Sequence, residues 1–195
     1  AKELLASHPG SRVLYDPRSS WTTPEVIREL GGEPALCRVG HAHIKKQMRE
    51  ESALFAGELS MHFYFADFSN CESTDFVMLL ILKIVLRESR PLSEIWKPLR
   101  RYHHSGEINF KVPSPQIVLE RAGEEYRATA TLINRLDGLR IEFKNPDAPQ
   151  TDWWVSLRAS NTEPLLRLNL EAKTKEEMEK RKQELSEKIE TWSKE

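Results

Sequence analysis

Residues 12–37, RVLYDPRSSWTTPEVIRELGGEPALC, decide the fold of the first half of this chain. Arg12 to Tyr15 is a short apolar run ended by Asp16-Pro17, which reads as a strand meeting a turn. Thr23-Pro24 opens a helix, with an N-cap residue followed by proline at the first turn, and Glu25 to Leu30 continues it. Gly31-Gly32 stops that helix, and Pro34 to Cys37 is a second strand. Strand, helix, strand at this spacing implies a small sheet with helices packed on it.

Outward from this stretch the alternation continues. His41 to Glu50 is a helix with Ile44 and Met48 on one face, and Leu54 to Ala56 and His62 to Phe65 are two more strands. Asp75 to Arg87 is apolar nearly all round and is expected to be a central, buried helix. Pro91 to Arg101 is a further short helix with Leu92, Ile95, Trp96 and Leu99 facing inward. Tyr102 to Gly106 is a polar junction, and the domain boundary is placed there, giving 1–103 and 104–195.

Beyond it the pattern changes. Glu107 to Val112 alternates, Pro113-Ser114-Pro115 opens a helix to about Glu125, and three strand-like runs follow at 128–133, 139–143 and 153–157. Leu136-Asp137-Gly138 marks a hairpin turn. Leu165 to Leu170 alternates as another strand, and Lys175 to Trp192 is a charged helix with Met178, Leu185 and Ile189 inward, capped by Thr174 with Glu177 three residues on. The expected fold class is therefore an α/β domain, a mixed sheet with flanking helices, followed by an α+β domain, an antiparallel sheet packed with helices.

The 195 residues are 39% hydrophobic and 30% charged with a formal net charge of -1, so no global basic field points to nucleic acid or to an anionic membrane. Any anion site has to be local. Cys37 and Cys71 have neither metal-ligand spacing nor the density of a disulfide scaffold. The longest apolar run is far short of a membrane span, and Lys2, Glu3 and His8 break up any signal-like segment, so cytoplasmic is the default. Ala1 to Ser7 reads as the end of a helix with no initiator Met, as in a chain cut from a longer one or one from which Met has been removed.

Three segments carry candidate chemistry. Arg158-Ala-Ser-Asn-Thr-Glu-Pro164, followed by Arg167, lies between two strands. Hydroxyls, an amide and a guanidinium fork gathered in one loop are the parts of a phosphate cradle, although such a loop is also an ordinary polar hairpin. Gly57-Glu-Leu-Ser-Met-His62 places a carboxylate and a hydroxyl two residues apart in an extended loop; one carboxylate can accept from two vicinal sugar hydroxyls, or Glu58 is a solvated loop charge. Val39-Gly-His-Ala-His-Ile-Lys45 sets His41 at a helix N-terminus with Lys45 one turn on, which suits an anionic ligand or a capping role.

These three segments resemble motifs of the α-D-phosphohexomutases, the phosphomannomutase/phosphoglucomutase family, and the resemblance runs from about Ala1 to Trp192. It implies the family's third domain at 1–103 and its fourth, TATA-box-binding-protein-like domain at 104–195. By position, Arg158, Ser160, Asn161 and Thr162 contact phosphate, with Arg167 a further phosphate or supporting residue. Glu58 and Ser60 hold sugar hydroxyls, His41 reaches the substrate, and His62 is a possible proton shuttle. Met61 stands where the family normally has Gly, and a Cβ there is expected to conflict with a φ > 0 conformation of the loop and so to alter its geometry and sugar preference. Asp16-Pro-Arg-Ser-Ser20 matches the family's strand end and is given no chemistry.

What the family's first two domains supply is not found in these residues. The resemblance implies a phosphoserine in one and Mg²⁺ held by clustered aspartates in the other, and neither loop occurs here; Ser7 echoes the serine loop only superficially. The chain is thus expected to be a fragment that binds a hexose phosphate, has no metal site and is inactive alone. Its partners would be the missing domains 1 and 2. The full enzyme would use Mg²⁺ and a hexose 1,6-bisphosphate activator to interconvert hexose 1- and 6-phosphates. The alternatives are a stand-alone non-catalytic phosphosugar-binding module and part of an aminosugar mutase; Leu59 after Glu58 argues against the latter.

Overall fold

In the computed structural model, which describes residues 1–160 and 163–194, the chain divides into two compact units, 1–101 and 102–195. The first contains α1 (Lys2–Leu5), β1 (Arg12–Tyr15), α2 (Thr22–Glu29), β2 (Glu33–Leu36), α3 (His41–Glu50), β3 (Phe55–Gly57), β4 (Phe63–Phe65), β5 (Cys71–Glu72), α4 (Thr74–Glu88) and α5 (Leu92–Trp96). Its sheet runs β2-β1-β3-β4-β5, parallel across β2, β1 and β3 and antiparallel beyond, so it is mixed.

β1 explains this arrangement. Val13 and Leu14 point to opposite faces, as successive strand residues must, and both are buried. Val13 packs with Leu5, Ile27 and Leu54 beneath α1 and α2. Leu14 packs with Ile44, Met48, Ala56 and Tyr64 beneath α3. The β1 sequence thus supplies a core on each side.

The two later helices depart from the sequence-based expectation. α4 forms where expected, its first turn capped by Ser73 Oγ accepting the Phe76 N–H at 3.2 Å, but none of its residues is buried. One side, Phe76, Leu80 and Ile84, is half-buried, with the Phe76 ring 5.0 Å from those of Phe65 and Phe68. Leu92, Trp96 and Leu99 of the next segment, expected inward, are exposed, and α5 ends at Trp96 in a 3₁₀ turn. An all-round apolar helix records that it will be covered, not what covers it.

The second unit contains β6 (His103–Lys111), α6 (Pro115–Glu125), β7 (Leu132–Asn134), β8 (Leu139–Phe143), β9 (Trp153–Ala159), β10 (Leu165–Ala172) and α7 (Lys175–Trp192). Its sheet, β6-β10-β9-β8-β7, is antiparallel throughout. Leu166, Leu168 and Leu170 face Val118 and Leu119 of α6 and Leu185 and Ile189 of α7, forming one core. By strand alternation Arg158, Arg167, Asn169 and Glu171 lie on the opposite face.

Several boundaries differ from expectation. His103–Gly106 is already strand, not junction, with Gly106 at φ +73° beside a shift of register in β10. Residues 128 and 129 are turn, not strand: Tyr126 O accepts from the Thr129 and Ala130 N–H groups, so α6 unwinds gradually and β7 starts only at Leu132. α2 starts at Thr22, whose N–H is taken by Ser20 Oγ at 3.1 Å.

Candidate functional site

The segment between β3 and β4 is a tight turn, not the extended loop expected. The Glu58 N–H donates to His62 O at 2.9 Å and the Met61 N–H to Glu58 O at 3.1 Å. Closing it requires φ +67° at Met61, so the left-handed conformation that favours glycine is occupied by a β-carbon-bearing residue. Its side chain is 66% exposed, so only the backbone is strained.

Glu58 is no solvated charge: the residue is buried at 8% exposure. Its Oε1 accepts the Gly40 N–H at 3.2 Å and its Oε2 accepts the Tyr64 hydroxyl at 3.0 Å. Burial, followed by the carboxylate of Glu58, pushes the Tyr64 phenol well above its ordinary range, so it stays a donor. A carboxylate offers about four acceptor positions, so two further donors can still be received. Gly40, at φ +114°, is the residue before α3, so its bond to Glu58 sets His41 beside this carboxylate. His41 is exposed at the helix start, with Lys45 half-buried. Ser60 and His62 are exposed and joined to each other, Oγ to Nδ1 at 3.1 Å.

The residues that sequence reasoning missed lie directly beneath. Asp16 is fully buried and accepts three hydrogen bonds, from the Arg18 N–H (2.7 Å), Arg18 Nη2 (2.6 Å) and the Leu59 N–H (2.9 Å). Arg18 Nη2 also lies 3.9 Å from Glu58 Oε1. Asp16 therefore locks the end of β1 to the carboxylate turn, and Arg18 supplies a buried counter-charge to both acids. The available signal was the Asp-x-Arg pattern at a strand end, where a carboxylate can accept a nearby N–H two residues on.

In the second unit, Arg158 lies within β9, not in a loop, and its Cα partner across the sheet is Arg167 of β10. Like charges directly opposite on one sheet face repel, and two carboxylates offset them. Asp137 Oδ2 is 3.2 Å from Arg158 Nε, and Glu107 Oε1 is 3.8 Å from Arg167 Nη1. Gly138, at φ +77°, lets the β7–β8 turn approach β9: a Cβ there would lie 2.3 Å from Leu157 O. Arg167 Nη2 donates to Ser160 Oγ at 3.4 Å, while its Nε is shielded from solvent with no partner among the described residues. The Ser160 N–H donates to Leu165 O at 2.8 Å, closing the base of the connection. Asn161 and Thr162 lie outside the described residues.

Among the described residues no group of three His, Cys, Asp or Glu side chains could hold a metal ion, so these residues do not fit a magnesium site. No helix among them is long and apolar enough to cross a membrane.

The chain is thus an α/β unit bearing a buried carboxylate turn, followed by an α+β unit bearing paired guanidinium groups. Residues 1–102 match the alpha/beta/alpha domain III of phosphoglucomutase/phosphomannomutase, and residues 107–188 match its C-terminal domain. The chain belongs to the phosphoglucomutase/phosphomannomutase family. A phosphomannomutase of Methanocaldococcus jannaschii is 42% identical over 185 residues, covering 95% of this chain and 39% of the relative. A phosphoglucomutase/phosphomannomutase family protein from Burkholderia thailandensis superposes with a TM-score of 0.81 at 26% identity, covering 98% of this chain and 40% of that one. An N-acetylphosphoglucosamine mutase of Aspergillus fumigatus, solved with glucose 1,6-bisphosphate, shares the fold at 14% identity and TM-score 0.64, over 96% of this chain and 40% of that one. The chain thus spans about two fifths of the length of these relatives.

Proposed function

We propose that this chain is the sugar- and phosphate-gripping part of a phosphomannomutase/phosphoglucomutase, with the first unit, 1–101, recognising sugar hydroxyls and the second, 102–195, recognising phosphate. The observation that carries the reading is the side-by-side placement of Arg158 and Arg167 as Cα partners on one sheet face. Two guanidinium forks in register attract a dianion that accepts from both, and a phosphoryl group has the oxygens to do so. Ser160 adds a hydroxyl at the same edge, and Asn161 and Thr162 are further contacts by sequence position.

Glu58, with acceptor capacity left after Gly40 and Tyr64, takes two hydroxyls of the hexose, and Ser60 adds a third polar contact. His41 sits at the start of α3, where the helix dipole favours an anion, and His62 moves a proton at the reacting oxygen. In the full-length enzyme, a serine phosphate is transferred to the sugar. The bisphosphate intermediate reorients, and the other phosphate returns to the serine, so hexose 1- and 6-phosphates interconvert. Mg²⁺ and the bisphosphate activator belong to that larger protein. The role of this chain is positioning, which in phosphoryl transfer supplies much of the acceleration.

Calorimetric titration with glucose 1-phosphate or mannose 1-phosphate tests the reading. Arg158→Ala is expected to weaken binding by about 1.5–3 kcal/mol, the range for a charge-assisted hydrogen bond. Unchanged affinity removes Arg158 from the site and the proposal with it.

A further inference from the structure

β10 alternates leucine with polar residues, so Leu166, Leu168 and Leu170 enter the core while Arg167 and Asn169 share the opposite face. On that face Arg167 Nε, a donor, and Asn169 Oδ1, an acceptor, are both shielded from solvent and have no hydrogen-bond partner among the described residues. Their Cα atoms are two residues apart on an extended strand, about 7 Å. Asn169 is only 2% exposed. A buried amide oxygen left unpaired is unfavourable, and an apolar side chain of the same size would fill the place without that penalty. We infer that Asn169 is the positioning residue of Arg167: its Oδ1 accepts the Arg167 Nε–H when a phosphoryl group draws the guanidinium fork outward.

The present partners of Arg167 are loose. Its Nη2 is 3.4 Å from Ser160 Oγ and its Nη1 is 3.8 Å from Glu107 Oε1, whereas a charge-assisted bond between nitrogen and oxygen is about 2.7–2.9 Å long. Both contacts are therefore readily exchanged for phosphate oxygens. The guanidinium is a rigid plane, so turning Nη1 and Nη2 away from Ser160 and Glu107 turns the Nε–H with them. The acceptor at the neighbouring position on this face is Asn169 Oδ1, and one bond then satisfies two stranded atoms. Because that bond forms only with the ligand in place, its free energy adds to phosphate affinity. Arg158 is held differently, since Asp137 Oδ2 already lies 3.2 Å from its Nε. The inference rests on the reading of the second unit as the phosphate-binding part, and it names what aims one of the two forks.

The test is the exchange of arginine Nε–H groups with water, followed by nuclear magnetic resonance as inorganic phosphate is added to the chain. At saturation the Arg167 Nε–H should exchange about tenfold more slowly than before phosphate is added. In Asn169→Leu that slowing should be lost and the Kd for phosphate raised about five- to twentyfold, while the Arg158 Nε–H still responds. The melting temperature should stay within about 2 °C, because an apolar replacement of an unpaired buried amide is nearly neutral. Asn169→Asp keeps an acceptor in place, so its Arg167 Nε–H should be protected even before phosphate is added. Equal slowing in the wild type and Asn169→Leu overturns the inference, since the Nε–H then bonds something other than Asn169. So does a melting temperature lowered by more than about 5 °C with phosphate affinity intact, which makes Asn169 a purely structural residue. If Asn169→Leu does not fold, the wild type and Asn169→Asp decide. Arg158 responding while the Arg167 Nε–H keeps its rate defeats this inference alone; no response at either arginine defeats the phosphate reading and this inference with it.

Discussion

The carboxylate turn of the first unit and the arginine pair of the second solve opposite electrostatic problems. Around Glu58, buried acids are matched by donors already in place: Asp16 by Arg18 and Leu59, and Glu58 by Gly40 and Tyr64. Between Arg158 and Arg167, two cations face each other, each with one carboxylate beside it among the described residues. A closed network of short bonds fixes geometry, whereas guanidinium groups held by looser contacts, one with an Nε–H that has no partner among the described residues, keep donors for a ligand. The first region should therefore answer to mutation mainly through stability and the second mainly through affinity.

The largest effect that could break this contrast is expected at Asp16. Asp16→Ala removes the nearest acceptor of the buried Arg18 guanidinium and the acceptor of the Leu59 N–H, and should reduce unfolding free energy by about 3–5 kcal/mol, read by urea denaturation. A loss below 1 kcal/mol would mean that the network is not the keystone of the turn. Next is Arg167→Ala, which relieves repulsion while removing a donor. It should weaken hexose phosphate binding by about 1.5–3 kcal/mol and leave the melting temperature nearly unchanged. A stability loss as large as that of Asp16→Ala would erase the distinction between the regions. Met61→Gly sharpens it from the other side: removing the Cβ from a left-handed residue should raise stability by roughly 1 kcal/mol, measured in the same denaturation.

The smallest effect expected is with pH. The hydrogen bond from Arg87 holds Glu3 below the usual carboxylate range. Its contribution is therefore complete above the ordinary carboxylate pKa and is lost as pH falls through the depressed folded value. A fall in the protection factors of the Leu4 and Leu5 amides on acidification, taken against the intrinsic exchange rate at each pH and largely absent in Glu3→Gln, would confirm the α1–α4 fastening; protection factors that do not change with pH would contradict it.

How much of this was legible in the sequence depended on whether the deciding contact was local. α3 was readable to the residue, because Ile44 and Met48 recur on one face and Gly40 precedes them. The β7–β8 turn was readable from Asp137-Gly138, since only a glycine tolerates that approach to β9. The fate of α4 was not: apolar composition cannot tell burial within the chain from burial against something else. Asp16 was passed over because its decisive partner, the Leu59 N–H, is 43 residues away. The polar composition from Arg158 onward reads as a loop after Leu157, whereas β9 continues to Ala159. That register is what sets Arg158 opposite Arg167.

The most direct test of the central claim is nuclear magnetic resonance of the arginine Nε–H groups during titration with inorganic phosphate and mannose 6-phosphate. The account predicts that the Arg158 and Arg167 signals move together with one saturating curve, accompanied by the Ser160 amide, while the Arg18 signal stays fixed. Saturable binding that leaves both Arg158 and Arg167 unmoved would contradict it.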